Sequence, residues 1–127
     1  MPKGNPSKTL AKSRAAAFER QGGFCYYCKC PMWLGDVEPF ASRVRLPLRL
    51  AMSRRCTAEH LVARRDGGSD EPANIVAACF HCNTSRHRRK RLRPPAEHCR
   101  FVQRRIAQRR WHPPQLLRLR APQAVMP

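Results

Sequence analysis

Two cysteine pairs with identical spacing stand about fifty residues apart in the chain. They are Cys25-Tyr26-Tyr27-Cys28 and Cys79-Phe80-His81-Cys82. Two residues between a pair of thiolates let both sulfurs face one point, about 2.3 Å from a tetrahedral zinc ion. Two such pairs complete a four-sulfur site, and the long gap means that the zinc would join the two ends of an intervening unit. The spacing therefore predicts a structural Zn2+ held by four ligands: Cys25, Cys28, Cys79 and Cys82.

The remaining cysteines leave other assignments open. The chain has seven cysteines, an odd number, and no apolar export segment follows its basic start, so a closed disulfide framework is disfavoured. Unmetallated buried thiols are the alternative to zinc. Cys30 could compete with Cys28 as a ligand, and His81, inside the second pair, could replace a cysteine. Cys56 and Cys99 stand alone and are predicted to be small buried hydrophobic residues.

Polar residues of a second kind lie between the two pairs. Glu59-His60 is followed by Gly67-Gly68, then by Asn74, and Asn83 comes directly after the second pair. This order resembles the HNH endonuclease family, including its members with two Cys-x-x-Cys pairs. The resemblance covers about residues 18–91. It implies an α+β fold, in which a small ββα-metal domain is stapled by the structural zinc and flanked by helices and basic tails.

The resemblance also implies hydrolysis of phosphodiester bonds, which requires a deprotonated water and stabilisation of charge on the phosphate and the leaving oxygen. His60 matches the family's first histidine and is the expected general base, since an unperturbed imidazole with a pKa of about 6.5 is neutral at working pH. Glu59 and Asn83 are the expected ligands of a catalytic divalent cation, Mg2+ or another. Asn74 matches the middle asparagine, which is expected to bond backbone across the loop and keep the histidine at its angle.

The chain departs from the family pattern at two positions. Asn83 stands where the pattern has histidine, and Glu59 stands where aspartate is commoner. His87 lies one helical turn after Asn83 and faces the same side, so it is a second candidate for the metal ligand. The longer side chain of Glu59 should still reach a metal.

Basic residues beside this motif are predicted to bind the backbone of a nucleic acid. The candidates are Arg64, Arg65, Arg86 and His87, with ordinary solvated charge as the alternative for the arginines. The 127-residue chain carries 26 Lys and Arg against 8 Asp and Glu, a formal charge of +18. Such a charge favours a polyanionic partner, which we expect to be DNA, with RNA left open. No apolar run approaches the roughly 18–20 residues that cross a bilayer, so we expect no membrane partner and a cytoplasmic protein.

The elements that must position these residues follow from apolar periodicity and from breaker residues. Residues 9–21 are rich in alanine and predict a helix that stops at Gly22-Gly23. Residues 31–55, which prolines interrupt, predict a loop with one or two short strands. Residues 55–62 predict a strand, and residues 74–78 form a short apolar run into the second cysteine pair.

Two further helices are predicted in the second half of the chain. One runs from about Phe80 to Arg91 and ends before two prolines. The other spans residues 96–111, with one stripe of apolar side chains: Cys99, Val102 and Ile106. An irregular tail is expected beyond it.

The length allows one domain of ordinary size with tails. We predict a disordered basic arm over residues 1–8, an HNH nuclease domain over residues 9–93 and a basic Pro/Arg-rich helix and tail over residues 94–127.

The leading hypothesis is a metal-dependent DNA endonuclease. A non-catalytic, zinc-stabilised module that binds nucleic acid is the alternative. A third reading is a small accessory protein whose arginine-rich tail docks on an acidic protein face or on ribosomal RNA. Double-strand cutting by one small active site generally needs two copies, so a homodimer is open as the assembly.

Overall fold

The computed structural model describes residues 6–121, with side chains from Lys8 onward. In chain order the elements are helices α1 (Pro6–Arg20), α2 (Val37–Val44) and α3 (Leu48–Ala51), strands β1 (Cys56–His60) and β2 (Ile75–Cys79), and helices α4 (Phe80–His87), α5 (Pro95–Ala107) and α6 (Pro114–Leu117). Several helices around one small sheet confirm the α+β prediction and are compatible with the ββα fold. Within the described residues, no helix is both long and apolar enough to cross a membrane.

The two strands form an antiparallel hairpin that carries the motif. Cys56 pairs with Cys79 at one end, and His60 pairs with Ile75 at the other. All residues of β2 are buried, whereas β1 buries only Cys56 and Glu59 and leaves its other three residues partly buried. Since α4 begins directly after β2, the hairpin and this helix form the ββα unit. The loop between the strands therefore begins right after Glu59 and His60.

Helix α1 lies against both strands. It begins at Pro6, three residues before the predicted start, and the rest of the predicted basic arm, residues 1–5, lies outside the described residues. It ends beside Gly22 and Gly23, whose φ angles of 66° and 82° are in the left-handed region that glycine adopts readily. The Gln21 carboxamide then bonds both backbone groups of Ala77 in β2, with both distances at 2.9 Å.

The prediction of a loop with short strands over residues 31–55 was wrong, because this stretch contains α2 and α3. Asp36 caps α2 by accepting a hydrogen bond from the Glu38 amide at 3.1 Å. Pro39 lies in the first turn of α2, and Pro47 immediately precedes α3. Proline is tolerated at these positions because the amide groups of a first helical turn have no partner within the helix. The prolines thus mark helix starts rather than breaks.

The later helices are shorter than predicted. Helix α4 ends at His87 rather than Arg91, since a run of arginines and a lysine follows, and like charges one turn apart destabilise a helix. Helix α5 ends at Ala107, and Arg109 then adopts a left-handed φ of 60°. The expectation of an irregular tail was also wrong up to Ala121, because α6 forms there and buries Leu116 completely; the rest of that tail, residues 122–127, lies outside the described residues.

One hydrophobic core joins the motif to the C-terminal helices. Val102 and Ile106 of α5 are buried in it as predicted, while Cys99 is only half-buried. Leu116 of α6 belongs to the same core, together with the cysteine pairs. The described C-terminal segment therefore packs on the ββα unit rather than extending away from it.

Candidate metal and hydrolytic site

The four paired cysteines converge at the base of the hairpin. The Sγ atoms of Cys25, Cys28, Cys79 and Cys82 all lie within 4.8 Å of one another. We call this group the four-cysteine cluster. All four are free thiols with at most 1% of their surface exposed. Such a buried set of soft donors fits a structural zinc.

Hydrogen bonds to sulfur favour the thiolate form of one member of this cluster, Cys25, whereas burial raises the pKa of the other three thiols well above the ordinary value. Cys25 Sγ accepts from the backbone amides of Tyr27 at 3.4 Å and Cys79 at 3.3 Å. The indole N–H of Trp111 donates to Cys82 Sγ at 3.2 Å. Burial alone raises the pKa of Cys25, but hydrogen bonds with the other three thiols outweigh it and hold this pKa well below the ordinary value. A metal ligand must be deprotonated, so binding of zinc would release the protons of these three thiols.

A cleft of about 330 Å3 lies at the opposite end of the hairpin. The structure brings most of the predicted hydrolytic residues to it. It is lined by Glu59, His60, Ala63, Arg64, Arg65, Asn83 and His87.

Glu59 is fully buried and has three side-chain partners. Its Oε2 accepts hydrogen bonds from the Tyr27 hydroxyl at 2.8 Å and from Arg86 at 2.9 Å, and His87 Nε2 lies 2.7 Å from its Oε1. Burial alone would raise the pKa of Glu59, but the hydrogen bonds from His87, Tyr27 and Arg86 hold it below the usual value. The carboxylate is therefore charged. Of its three partners, His87 is the one that also lines the cleft.

Arg86 does not reach the cleft, and its predicted contact with nucleic-acid phosphate was wrong. Only 2% of this residue is exposed. Besides Glu59, its guanidinium donates to the carbonyl oxygens of His60 at 2.9 Å, Leu61 at 3.2 Å and Arg93 at 2.8 Å. It thus neutralises the buried carboxylate and fixes the end of β1. The sequence held a signal, since Arg86 lies four residues after the buried Cys82, on the same helix face.

His60 has a partner that sequence reasoning missed. Its Nε2 lies 2.8 Å from Oδ1 of Asp70, which also contacts the exposed Arg64 at 3.2 Å. The hydrogen bond with His60, followed by the charge of Arg64, holds the pKa of Asp70 below its ordinary value. Ser13 of α1 anchors the same loop by donating to the Asp70 carbonyl at 2.7 Å. Only the folded loop turns Asp70 towards the histidine.

Asn74 lies across the loop from the end of β1. Its Oδ1 accepts from the Val62 amide at 2.9 Å, while its Nδ2 donates to the carbonyls of Val62 at 3.0 Å and Ser69 at 2.9 Å. A Cβ at Gly68 would come within 1.6 Å of the Val62 carbonyl oxygen, so this close approach requires glycine. The asparagine and the glycine together set the path of the loop that carries Asp70.

Asn83 and the two basic rim residues line the cleft differently. The Nδ2 of Asn83 donates to Thr57 Oγ1 at 2.9 Å and to the Ala58 carbonyl at 3.3 Å, which fixes the amide group on β1. No described residue donates a hydrogen bond to its Oδ1, so this oxygen is available to a ligand. Arg64 and Arg65 are exposed at the rim.

His81 is not a member of the four-cysteine cluster. Its ring packs edge-on against Trp111, with centroids 4.5 Å apart, and lies 5.5 Å from the ring of His112. Burial, followed by the nearby charge of Arg54, lowers the pKa of His81. The residue therefore packs as a neutral aromatic ring behind the second pair.

Residues 46–89 match the family model described as HNH endonuclease. This segment is an HNH domain. It contains the hairpin, α4, the second cysteine pair and all the residues that line the cleft, whereas the first cysteine pair comes from outside it. No curated protein and no solved structure gives a significant match to the chain. The HNH domain associates the chain with nucleases and with nucleic-acid binding.

Proposed function

We propose that the chain is a metal-dependent endonuclease that hydrolyses phosphodiester bonds of DNA in the cleft. One observation carries this proposal. Within the HNH domain, a histidine held by a carboxylate lines the same cleft as a buried carboxylate, an amide oxygen and a second histidine. The residues are His60 with Asp70, then Glu59, Asn83 and His87.

The contact with Asp70 determines which nitrogen of His60 acts. An ionised carboxylate can only accept hydrogen bonds, and the pKa of Asp70 is held low. Nε2 of His60 therefore carries the proton and donates a hydrogen bond to Asp70. In the neutral ring, Nδ1 then keeps its lone pair and can take a proton from an attacking water. Asp70 positions the imidazole and stabilises the positive charge that it gains.

The donor set in the cleft fits a divalent ion. Arg86 and Tyr27 occupy Oε2 of Glu59, whereas Oε1 has only its hydrogen bond with Nε2 of His87. An ion in the cleft would take the place of the proton in that bond, with Asn83 lining the same cleft. A carboxylate and an amide oxygen suit Mg2+, whereas an imidazole is also suited to transition metals such as Mn2+ or Ni2+. When bound, such an ion stabilises negative charge on the phosphate and the leaving oxygen.

The surroundings of the cleft suit a polyanionic substrate. Arg64 and Arg65 stand exposed at its rim, and the net charge of +18 attracts phosphates from a distance. The two arginines bind the nucleic-acid backbone rather than read bases, and the cleft of about 330 Å3 accepts one phosphate group with its ion and water.

Incubation of the zinc-loaded protein with supercoiled plasmid tests the proposal. We expect nicking in Mg2+ or Mn2+, loss of nicking in EDTA while the zinc content stays constant, and loss of nicking in His60→Ala. Lys12→Ala, which removes an exposed charge from α1, should nick like the parent. Cleavage that survives His60→Ala would refute the assignment. Tight DNA binding without turnover in any divalent metal would favour the non-catalytic binding module.

A further inference from the structure

A second set of metal-binding side chains adjoins the four-cysteine cluster. The Sγ atoms of Cys28 and Cys30 and a ring nitrogen of His112 lie within 4.8 Å of one another. All three residues are buried, with Cys30 1% and His112 6% exposed. We propose that they form a second site for a thiophilic metal ion, with the Cys28 thiolate bridging the two ions.

The distances suit such an ion. Ligands at about 2.3 Å around a tetrahedral ion stand about 3.8 Å apart, so donors that already lie within 4.8 Å need only small side-chain movements. Two thiolates and an imidazole are a soft donor set that selects zinc and similar ions over Mg2+. The fourth position of the second ion is left to a water.

Hydrogen bonds of neighbouring residues hold both additional ligands in place. The Cys30 carbonyl accepts a hydrogen bond from the Cys25 amide at 2.9 Å, which closes the first knuckle and keeps the Cys30 thiol beside Cys28. His112 arrives from the connection between α5 and α6. The preceding Trp111 bonds the sulfur of Cys82 at 3.2 Å, so this connection is seated on the cluster.

A buried arginine, Arg54, lies against the proposed ligand His112. Arg54 is 5% exposed, and none of the carboxylates in the described residues pairs with it. Its Nη1 contacts Nδ1 of His112 and lies 3.3 Å from Nε2, so the guanidinium covers the nitrogen edge of the ring. A buried cation without an anion is costly. Arg54 is therefore a cation held against the ring of His112, from which the second ion would displace it.

The metal content of the whole protein tests the second site, and this readout is independent of nuclease activity. Zinc-loaded protein is titrated with Zn2+ and counted by native mass spectrometry, with circular dichroism to verify the fold. We expect two ions per chain in the parent and one in both Cys30→Ser and His112→Gln. Cys99→Ser removes a half-buried thiol outside both sets and should keep two.

Cadmium replacement gives a second measurement that needs no variant. With 113Cd the parent should show two resonances, one for four sulfur ligands and one shifted by the imidazole ligand. A folded parent that binds a single ion in excess Zn2+ and shows one 113Cd resonance would overturn the proposal. Two ions in both His112→Gln and Cys30→Ser would overturn it as well.

Discussion

Replacement of Arg86 by methionine tests the buried ion pair beneath the cleft. Methionine keeps the apolar part of the side chain and removes the guanidinium. The change leaves Glu59 without its one fixed positive charge and leaves three carbonyl oxygens without a donor: those of His60, Leu61 and Arg93. Tyr27 and His87 still bond Glu59, so the carboxylate is not left wholly unpartnered.

The cost follows from these contacts. A hydrogen bond to a charged group contributes about 1.5–3 kcal/mol, and each buried acceptor left without a donor costs about 1 kcal/mol or more. At the lower of these figures, the charged bond and the three carbonyls sum to about 4.5 kcal/mol, which lies within the roughly 3–5 kcal/mol measured when one partner of a buried ion pair is removed. For a chain of this size, this loss lowers the melting temperature by roughly 10–25 °C.

Scanning calorimetry of the zinc-loaded protein measures this loss. The matched control is Arg65→Met, the same substitution at an exposed position, which should change stability by no more than about 0.5 kcal/mol. The double variant Glu59→Gln with Arg86→Met should be less destabilised than the sum of its parts by about 1 kcal/mol or more, since it leaves no unpaired charge. An Arg86→Met protein that melts within about 3 °C of the parent would refute the reasoning.

Four further predictions concern the cleft and the metal. Asp70→Asn should lower the plasmid nicking rate about tenfold or more, because His60 loses the charged, acceptor-only carboxylate and the amide NH2 can stabilise the other tautomer of the ring; a parental rate would contradict this. Glu59, whose pKa is lower in the folded chain, contributes stability that is present above about pH 4.5 and lost as the pH falls. Urea denaturation of Glu59→Gln should therefore show a flatter decline in acid, and an unchanged decline would count against the role of this carboxylate. Complete removal of zinc by a chelator should abolish the helical circular dichroism, whereas an intact spectrum would show that the four-cysteine cluster is dispensable for folding. Arg64→Ala and Arg65→Ala should each reduce the slope of log affinity for DNA against log salt by about one, and equal slopes would remove these arginines from the interface.

The features that the sequence predicted well depend on local spacing. Two residues between Cys25 and Cys28 fix how their sulfurs can point, whatever the rest of the chain does. The order of Glu59-His60, Asn74 and Asn83 predicts a hairpin and a helix through its resemblance to the HNH family, and the structure brings Glu59, His60 and Asn83 to one cleft. The spacing of the cysteine pairs carries information by itself, because the geometry of so short a segment does not depend on the core.

Asp70 and Arg86 could not be assigned in the same way, because their roles depend on contacts across the fold. Asp70 meets His60 only after the loop has turned at Gly68 and been braced by Asn74. Arg86 looks like one more cation in a basic stretch until Glu59 is known to be buried. A buried carboxylate requires a counter-charge, and this requirement turns Arg86 inward.

Helices α2 and α3 could not be predicted from the sequence for a different reason. A proline breaks a helix in its interior but fits in its first turn, so the same residue favours opposite interpretations according to position. Pro39 could be placed only together with the cap that Asp36 provides. The capping residue was present in the sequence, but the apolar residues of α2 become a recognisable helix face only when the core that buries Phe40 and Val44 is known.

The carboxamide of Gln21 covers one edge of the small sheet. It satisfies the outward backbone groups of Ala77, much as a third strand would, and on the other side Asn83 and Arg86 bond the outward carbonyls of Ala58 and His60. A strand from another molecule would have to displace these side chains before it could join the hairpin. A second copy of this chain would therefore have to meet the hairpin through side-chain surfaces, and the hairpin would stay a two-stranded unit within each copy.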